Sequence, residues 1–329
     1  MKKQILVSLV LAGSLVASFA HAEEQKDQSQ TANSSSVKIT DVQKKDEQVG
    51  DIDNEITNAK MRADSGAKSK WSIKGDITYN GGSLEIPFGP IRPNYAGVAG
   101  SDTNTTISGT LAAAYRLTMR DTLRFGAGVN INTPFQNSTS DLTNSNGSRK
   151  SSVNTPYVSW GRAFKAWGIQ QSLDAEVDYY TIPAYVDNYK MQSAASASWT
   201  GIFDIANSNW QPGLSLSLSN VFYKDGENAF DTASNPEDGR SDYSIGLFPF
   251  VEYAFNDTLS FRTVFRFLTF DHYRDDAKST FYHEMWTQSV GIGISVTRDI
   301  YLYPNFQFAP EYMRADTTNV GLSTSFSVF

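Results

Sequence analysis

Three acidic residues occupy alternate positions in one segment of the chain. Asp174, Glu176 and Asp178 are separated by Ala175 and Val177. Alternate residues of an extended strand share a face, so the three carboxylates are predicted to form one acidic row. Other charged residues occupy the same kind of position in other segments: Lys74, Asp76, Arg116, Arg124, Glu252, Arg262 and Arg266. Acidic and basic side chains facing one another would set a transverse field across the space between them. Alternatively, the charges pair across neighbouring strands and fill that space.

A hydrolytic site is the other chemistry that the residue types allow. His283, with Glu284 beside it, has Ser289 six positions further on and on the same face. Six residues of a strand span about 20 Å, which is too far for a nucleophile and its base. The chain has no Cys and only three His, one of them His21 in the leader, which disfavours a Cys or His metal site. We therefore expect no catalytic residues, no metal site and no cofactor.

The first 22 residues have the pattern of a signal peptide. Lys2 and Lys3 precede an apolar stretch, and Ala20-His21-Ala22 is a cleavage site of the small-x-small type. An uncleaved membrane anchor is the alternative. Removing the leader changes the formal net charge from −7 to −9 because it removes two lysines. An acidic chain has no basic footprint for nucleic acid, so we expect no nucleic-acid partner.

The rest of the chain has no run of about 20 apolar residues, which excludes an α-helical membrane protein. From residue 70 onward, twelve segments instead alternate with a period of two, most clearly Leu214-Ser215-Leu216-Ser217-Leu218-Ser219. Tight turns and longer loops alternate between these segments. Several segments have 11–14 residues, which is long enough to cross a bilayer when tilted. The pattern predicts an all-β fold, a twelve-stranded antiparallel transmembrane β-barrel over residues 69–329, and disfavours a soluble β-sandwich.

Residues 23–68 are predicted to form a separate segment before the barrel. Its first part is polar and is expected to be disordered. Between residues 37 and 63, Val42, Val49 and Ile56 are seven residues apart and Ile52 lies three beyond Val49, which is typical of a heptad repeat. We expect an amphipathic helix that mediates self-association through Val42, Val49, Ile52 and Ile56. The alternative is a single helix that lies against the barrel or inside it.

The last ten residues carry a family resemblance. Val320, Leu322, Phe326 and Val328 alternate with small residues, and the sequence ends on Phe329. With the strand pattern, this resembles the Gram-negative outer-membrane β-barrel proteins of porin-like type. Phe329 departs from the usual signal because it lies on the opposite parity from Val328.

The resemblance implies a cell outer membrane location with the N-terminal segment in the periplasm. It also implies contact with outer-membrane lipid and lipopolysaccharide, and recognition of the C-terminal strand by the barrel-assembly machinery. The expected function is passive diffusion of small polar solutes through a homo-oligomer. The alternatives are a non-conducting structural protein, with a filled barrel or a lipid-enclosing oligomer, and a lipid-modifying enzyme.

If the apolar parity of each strand faces lipid, the opposite parity faces the barrel interior. This assignment gives the predicted pore-lining residues: Lys74, Asp76, Arg116, Arg124, Asp174, Glu176, Asp178, Glu252, Arg262 and Arg266. Twelve strands lie between the small filled barrels of about 8 strands and the open porins of about 16. An open interior and a filled interior are therefore both compatible with the strand number.

Overall fold

The computed structural model describes residues 51–98, 100–136, 151–206, 208–224, 241–273 and 281–329. Val42 and Val49 of the predicted heptad lie outside these residues. Fourteen hydrogen-bonded segments form one antiparallel sheet, and two pairs of them are halves of interrupted strands, which gives twelve strands. No helix in these ranges is both long and apolar enough to span a membrane.

The twelve strands follow one another around the sheet in chain order, each paired with its neighbours in sequence. They are β1 Trp71–Ser83, β2 Thr106–Arg116, β3 Asp121–Asn132, β4 Ser151–Ala166, β5 Ile169–Tyr179, β6 Met191–Phe203, β7 Trp210–Tyr223, β8 Ser241–Ala254, β9a Leu259–Arg266 with β9b Leu268–Tyr273, β10a Phe281–His283 with β10b Thr287–Thr297, β11 Ile300–Phe308 and β12 Asn319–Val328.

The sheet closes on itself through two pairings. β1 pairs with β12 from Ile73 opposite Val328, and β8 pairs with β9a from Phe250 opposite Val264. Each of the twelve strands then has two neighbours along at least part of its length, so the sheet is a closed barrel, as a sheet that spans a bilayer must be. The predicted twelve-stranded antiparallel barrel is confirmed.

Alternation along the strands separates an apolar outer face from a polar inner face. Ile73, Leu111 and Phe125 are exposed on the outside, whereas Lys74 and Arg124 on adjacent positions point inward. Aromatic pairs lie near the turn-side ends of the strands: Trp71 with Tyr115, whose ring centroids are 4.7 Å apart, and Trp210 with Tyr253 at 4.8 Å. Such rings are typical of the boundary between lipid and water.

Turns on one side of the barrel are short, as predicted. The β4–β5 link has two residues, Trp167 with φ +54° and Gly168 with φ +78°. Positive φ at both central positions is the type I′ geometry, whose twist matches the two strands that it joins. At the other side, the loops between β1 and β2 and between β11 and β12 are longer and contain short elements, Ile91–Arg92 paired with Thr103–Asn104 and a 3₁₀ turn at Pro310–Tyr312.

Strands nine and ten are each interrupted, which the period-two pattern does not reveal. Phe267 separates β9a from β9b, and Glu284–Trp286 separates β10a from β10b. The backbone carbonyl of Phe267 accepts from the ring Nε2 of His283, and Glu284 N donates to Thr269 O at 3.0 Å. Side-chain and backbone hydrogen bonds thus replace the regular ladder at this point.

The first long loop has an inner part and an outer part. Arg92 donates to Gln307 Oε1 at 2.7 Å and Tyr95 donates to the same oxygen at 3.1 Å, so this part reaches the inner face of β11. On the outside, Phe88 and Phe135 pack against Tyr79, with ring centroids 5.2–6.0 Å apart. The loop therefore covers part of the interior and also exposes apolar side chains.

The C-terminal residue leaves the strand pattern. Regular pairing ends at Val328, which lies opposite Ile73, and Phe329 adopts φ +95° with 81% of its surface exposed. Its backbone oxygen accepts a hydrogen bond from the Ser69 hydroxyl. The unusual parity of Phe329 is explained by this turn of the backbone, because the residue is no longer part of the alternating strand.

Candidate functional site

Residues 51–68 form a loop that enters the barrel from the end with the short turns. We call it the plug segment. Its two ends meet at the mouth, where Lys68 Nζ lies 2.7 Å from Asp51 Oδ2 and 3.0 Å from Asp53 Oδ2. Asp53 also pairs with Arg298 of the β10–β11 turn at 2.9 Å. The chain therefore goes in and returns to β1 on the same side of the barrel.

Two short helices make up the plug segment, a 3₁₀ turn at Ile52–Asn54 and the α-helix α1 at Ala59–Asp64. The predicted continuous heptad helix does not extend through this region. Asn58 has an extended backbone and accepts from Met61 N at 3.0 Å, which starts α1 as an N-cap. Gln170 Oε1 accepts from the backbone N–H groups of Thr57 and Asn58, which in a continuous helix would bond within the helix.

An apolar cluster anchors the plug segment inside the barrel. Ile52 and Ile56 are fully buried together with Met61, against inward-facing Ile202 and Phe250 of the wall. This corrects the prediction that Ile52 and Ile56 mediate self-association, because both side chains are used within the chain. The heptad spacing correctly indicated an apolar face at these residues, but it could not indicate which apolar surface that face would contact.

Arg116 is buried beneath the plug segment. Its guanidinium donates to the backbone carbonyls of Ala67 at 2.6 and 2.9 Å, Gly66 at 2.9 Å and Met119 at 2.7 Å. An arginine side chain can donate five hydrogen bonds and here satisfies carbonyls that follow the end of α1. Predicted as pore-lining, Arg116 instead fixes the plug segment to β2.

A second buried charge lies on the opposite wall. Glu252 accepts from Arg262 Nη1 at 2.8 Å, from the Ser260 hydroxyl at 2.7 Å and from Asn58 Nδ2 at 3.2 Å. The Arg262 guanidinium also lies 4.3 Å from the centre of the Phe250 ring. A buried ion pair of this kind is sensitive to the loss of one partner, which would leave the other charge uncompensated. Glu252 is therefore a wall-to-plug contact rather than an open lumen residue.

Contacts of the plug segment extend around the circumference of the barrel. The wall residues that bond to it or pack on it come from nearly all strands or their turns: Lys74 of β1, Arg116 of β2, Arg120 of the β2–β3 turn, Ala163 of β4, Gln170 of β5, Ile202 of β6, Gln211 of β7, Phe250 and Glu252 of β8, Val264 of β9a, Tyr301 and Tyr303 of β11 and Ser327 of β12. The turn-side end of the interior is largely filled.

Beyond the plug segment, the interior contains an acidic cavity of about 390 Å³. Asp174 and Glu176 of the acidic row line it with Asp76, and Asp178 follows on the same face of β5. Arg124 is ion-paired with Asp174 across β4. Serine hydroxyls of β6 and β7 complete the wall. With Asp64, four carboxylates line this cavity against the three cationic groups of Lys60, Lys74 and Arg124, which is a small excess of negative charge.

A basic cavity of about 290 Å³ lies along strands β8 to β12. Arg262 and Arg266 line it, together with Tyr303, Asn305 and Gln307. Lys60 of α1 lines both cavities and stands between them. The interior is therefore acidic on one side and basic on the other, and a plug residue separates the two.

Lys60 is held by Asp64, one helical turn further along α1, at 2.6 Å. Burial raises the pKa of Asp64, but attraction to Lys60 and Lys74 outweighs this and lowers the pKa to about 2. At the mouth, burial raises the pKa of Asp53, and its hydrogen bonds from Arg298 and Lys68 more than reverse that effect and leave the pKa lowered. Both carboxylates are charged at neutral pH and attract the cations that hold the plug segment.

The ten predicted pore-lining residues thus divide into three groups. Seven of the ten line the two cavities: Lys74, Asp76, Arg124, Asp174, Glu176, Arg262 and Arg266. Arg116 and Glu252 bind the plug segment, and Asp178 continues the acidic row of β5 outside both cavity linings. Asn58, Lys60 and Gln170 were not among the predicted residues, although Asn58 directly before Ala59 is a recognisable helix-start signal.

His283 and Ser289 do not form a catalytic pair. His283 is exposed and bonds to the Phe267 carbonyl, whereas Ser289 is buried on the inner face and lies 3.4 Å from the Tyr303 hydroxyl. The interruption at Glu284–Trp286 separates them. Within the described ranges, no hydrogen bond joins the two side chains.

No protein-family model matches the sequence, and no curated protein matches it significantly. Solved structures similar to the chain include an outer membrane channel from Pseudomonas putida F1, with 12% identity, a TM-score of 0.47 and coverage of 80% of this chain and 97% of that one. The NanC porin has 10% identity and a TM-score of 0.41, with coverage of 78% and 98%. OmpF of Salmonella typhi in complex with daunomycin has 8% identity and a TM-score of 0.33, with coverage of 78% and 96%.

Proposed function

We propose that this protein is an outer-membrane channel for the passive diffusion of small polar solutes, closed at its turn-side end by its own plug segment. The observation that supports this most directly is the interior beyond the plug segment. Two cavities of about 390 and 290 Å³ are lined by charged, hydroxyl and amide groups. A barrel that served only as a rigid membrane element could fill this space with packed side chains.

The plug segment gives the channel a closed state that can open without breaking the barrel. The sheet closes through its own strand pairings, none of which involves residues 51–68. Displacing the plug segment would cost its apolar cluster and its ion pairs but no strand hydrogen bond. The pairs at the mouth, Asp53 with Arg298 and Glu55 with Arg120, have side chains that are 18–26% exposed, so water reaches them.

This proposal places the barrel in the outer membrane of a Gram-negative bacterium, in contact with outer-membrane lipid and lipopolysaccharide. The short-turn side and the N-terminal segment would face the periplasm. Recognition of β12 by the barrel-assembly machinery and self-association through the region before residue 51 remain proposals of the same kind. Since Ile52 and Ile56 are buried, self-association would depend on Val42 and Val49.

A structural, non-conducting barrel is the second candidate. The observation that favours it is the number of wall elements that the plug segment contacts, which resembles a permanently filled interior. The two candidates differ in whether the plug segment leaves the barrel under conditions in which the barrel stays folded.

Solute entry into proteoliposomes tests the proposal. Liposomes containing the full-length protein, or a variant lacking residues 23–68, are diluted into an isotonic solution of a small sugar or amino acid, and swelling is followed by light scattering. We expect slow swelling with the full-length protein and fast swelling with the truncated one. If truncation prevents folding, the double variant I52A/I56A replaces it, since it keeps the whole chain and removes apolar contacts of the plug segment. No swelling with folded barrels of either kind would refute the channel.

A further inference from the structure

A small cavity of about 20 Å³, lined mostly by charged and hydroxyl residues, lies between the plug segment and one side of the barrel wall. The plug segment contributes Asp64 to Gly66, and the wall contributes Arg124, Gly161 and Asp174. A cavity needs roughly 10–15 Å³ of this kind of volume to hold one water molecule. The space is therefore large enough for water.

This cavity lies next to the acidic cavity beyond the plug segment. Five residues line both: Asp64, Lys74, Arg124, Ser172 and Asp174. In the other direction its lining includes Arg120, which lies in the turn between β2 and β3. The residues that line the small cavity thus reach from the level of the turns to the wall of the acidic cavity, and we call the boundary between them and the plug segment the seam.

Two buried polar atoms in the seam are suited to bind water. Asp64 Oδ1 and Arg124 Nε are buried and make no hydrogen bond to the described part of the chain. Leaving such atoms without any partner is costly, and a water molecule in a polar cavity ordinarily satisfies them. Asp64 Oδ1 can accept from water or bind a cation, and Arg124 Nε can donate to water or to an anion.

Gly161 lines the seam beneath the Arg124–Asp174 ion pair. A Cβ atom built at this position would overlap Arg124 Nη2 and lie 2.8 Å from Asp174 Oδ1. The absence of a side chain lets the Arg124–Asp174 ion pair lie across β4. Any larger residue would push that pair into the seam.

From this geometry we propose that the docked plug segment leaves a water-filled seam along strands β1 and β3 to β5, which passes water and small monovalent ions while larger solutes are excluded. The proposal rests on the proposed channel function and adds a second, narrow path to it. The Arg124–Asp174 pair over Gly161 forms its narrowest point. Full-length protein would then show two conductances, a small steady one from the seam and larger transient ones when the plug segment leaves.

Planar-bilayer recordings of the full-length protein in potassium chloride test this. We expect a small steady conductance that falls at least tenfold in Gly161→Ala and is unchanged in Gly128→Ala. Gly128 is a matched control because it lies in the neighbouring strand β3, near the loop end, where an added Cβ meets the Asn154 side chain at 3.0 Å. Large transient openings should persist in both variants.

A second variant covers the case in which Gly161→Ala does not fold. Because the chain has no Cys, Ser172→Cys introduces a single thiol at a residue that lines both the seam and the acidic cavity. A charged methanethiosulfonate reagent should then abolish the steady conductance. If the steady conductance is missing or survives both changes while large openings occur, the seam is refuted and the channel stands. If neither conductance occurs, both proposals fail.

Discussion

The plug segment should be released by shortening one buried side chain. Ile56 is fully buried in the apolar cluster that joins the plug segment to Ile202 and Phe250. Truncating a buried isoleucine to alanine costs about 2–5 kcal/mol. A loss of about 3 kcal/mol corresponds to roughly a 100-fold change in the docking equilibrium. Because residues 51–68 take no part in the barrel sheet, this cost falls on docking rather than on strand pairing.

The assay is the frequency of large openings in planar bilayers, recorded for Ile56→Ala and for Ile86→Ala. Ile86 lies in the first long loop and is 64% exposed, so the same change there should have little effect on docking. We expect openings to become about 100-fold more frequent in Ile56→Ala only, given the docking cost above. Equal frequencies in the two variants, with both barrels folded, would refute the assignment of Ile56 to the docking contact.

Three further predictions follow from charge and orientation. The pKa of Asp53 is lowered in the docked state, so docking should be independent of pH above the ordinary carboxyl pKa of about 4 and weaken as the pH falls below it. The frequency of large openings, measured between pH 8 and pH 3, should therefore rise only at the acidic end. Constant frequency down to pH 3 would contradict this. Replacing all three carboxylates of the acidic row by amides should move the reversal potential in a salt gradient away from cation selectivity, and an unchanged potential would refute their placement on the ion path. Leu111→Arg places a charge on the lipid side of β2 and should lower the free energy of refolding into liposomes by about 2–4 kcal/mol. Thr110→Arg, on the inner side and opposite Asp76, should lower it less. Equal costs would invalidate the assigned parity.

The barrel could be predicted from the sequence because period-two alternation and the lengths of the links are local signals. The Leu-Ser alternation in β7 fixes which face is apolar, and the short links fix which strands are neighbours. The interruptions of strands nine and ten were not predictable in this way. Phe267 continues an apolar pattern, and its bond from His283 depends on a residue 16 positions away.

The interior was predicted in part for a similar reason. Strand parity places the side chain of Asp174 inside the barrel, but it does not say what else occupies the interior. The heptad spacing of Ile52 and Ile56 indicates an apolar face without identifying its contact, and the fold supplied a surface inside the same chain. Arg116 and Glu252 are contacts of the plug segment because that segment lies against them inside the barrel.

Passage of solutes through the barrel depends on the plug segment moving, and one measurement addresses this directly. A cysteine pair, Asp53→Cys with Arg298→Cys, replaces an ion pair whose charged atoms lie 2.9 Å apart at the mouth. Full-length protein with this pair is recorded in a planar bilayer before and after joining the two thiols with a short, reducible bismaleimide. We expect large openings before cross-linking, their loss afterwards and their return on reduction. Large openings that persist with the thiols joined would show that solutes pass by another route and would contradict the account.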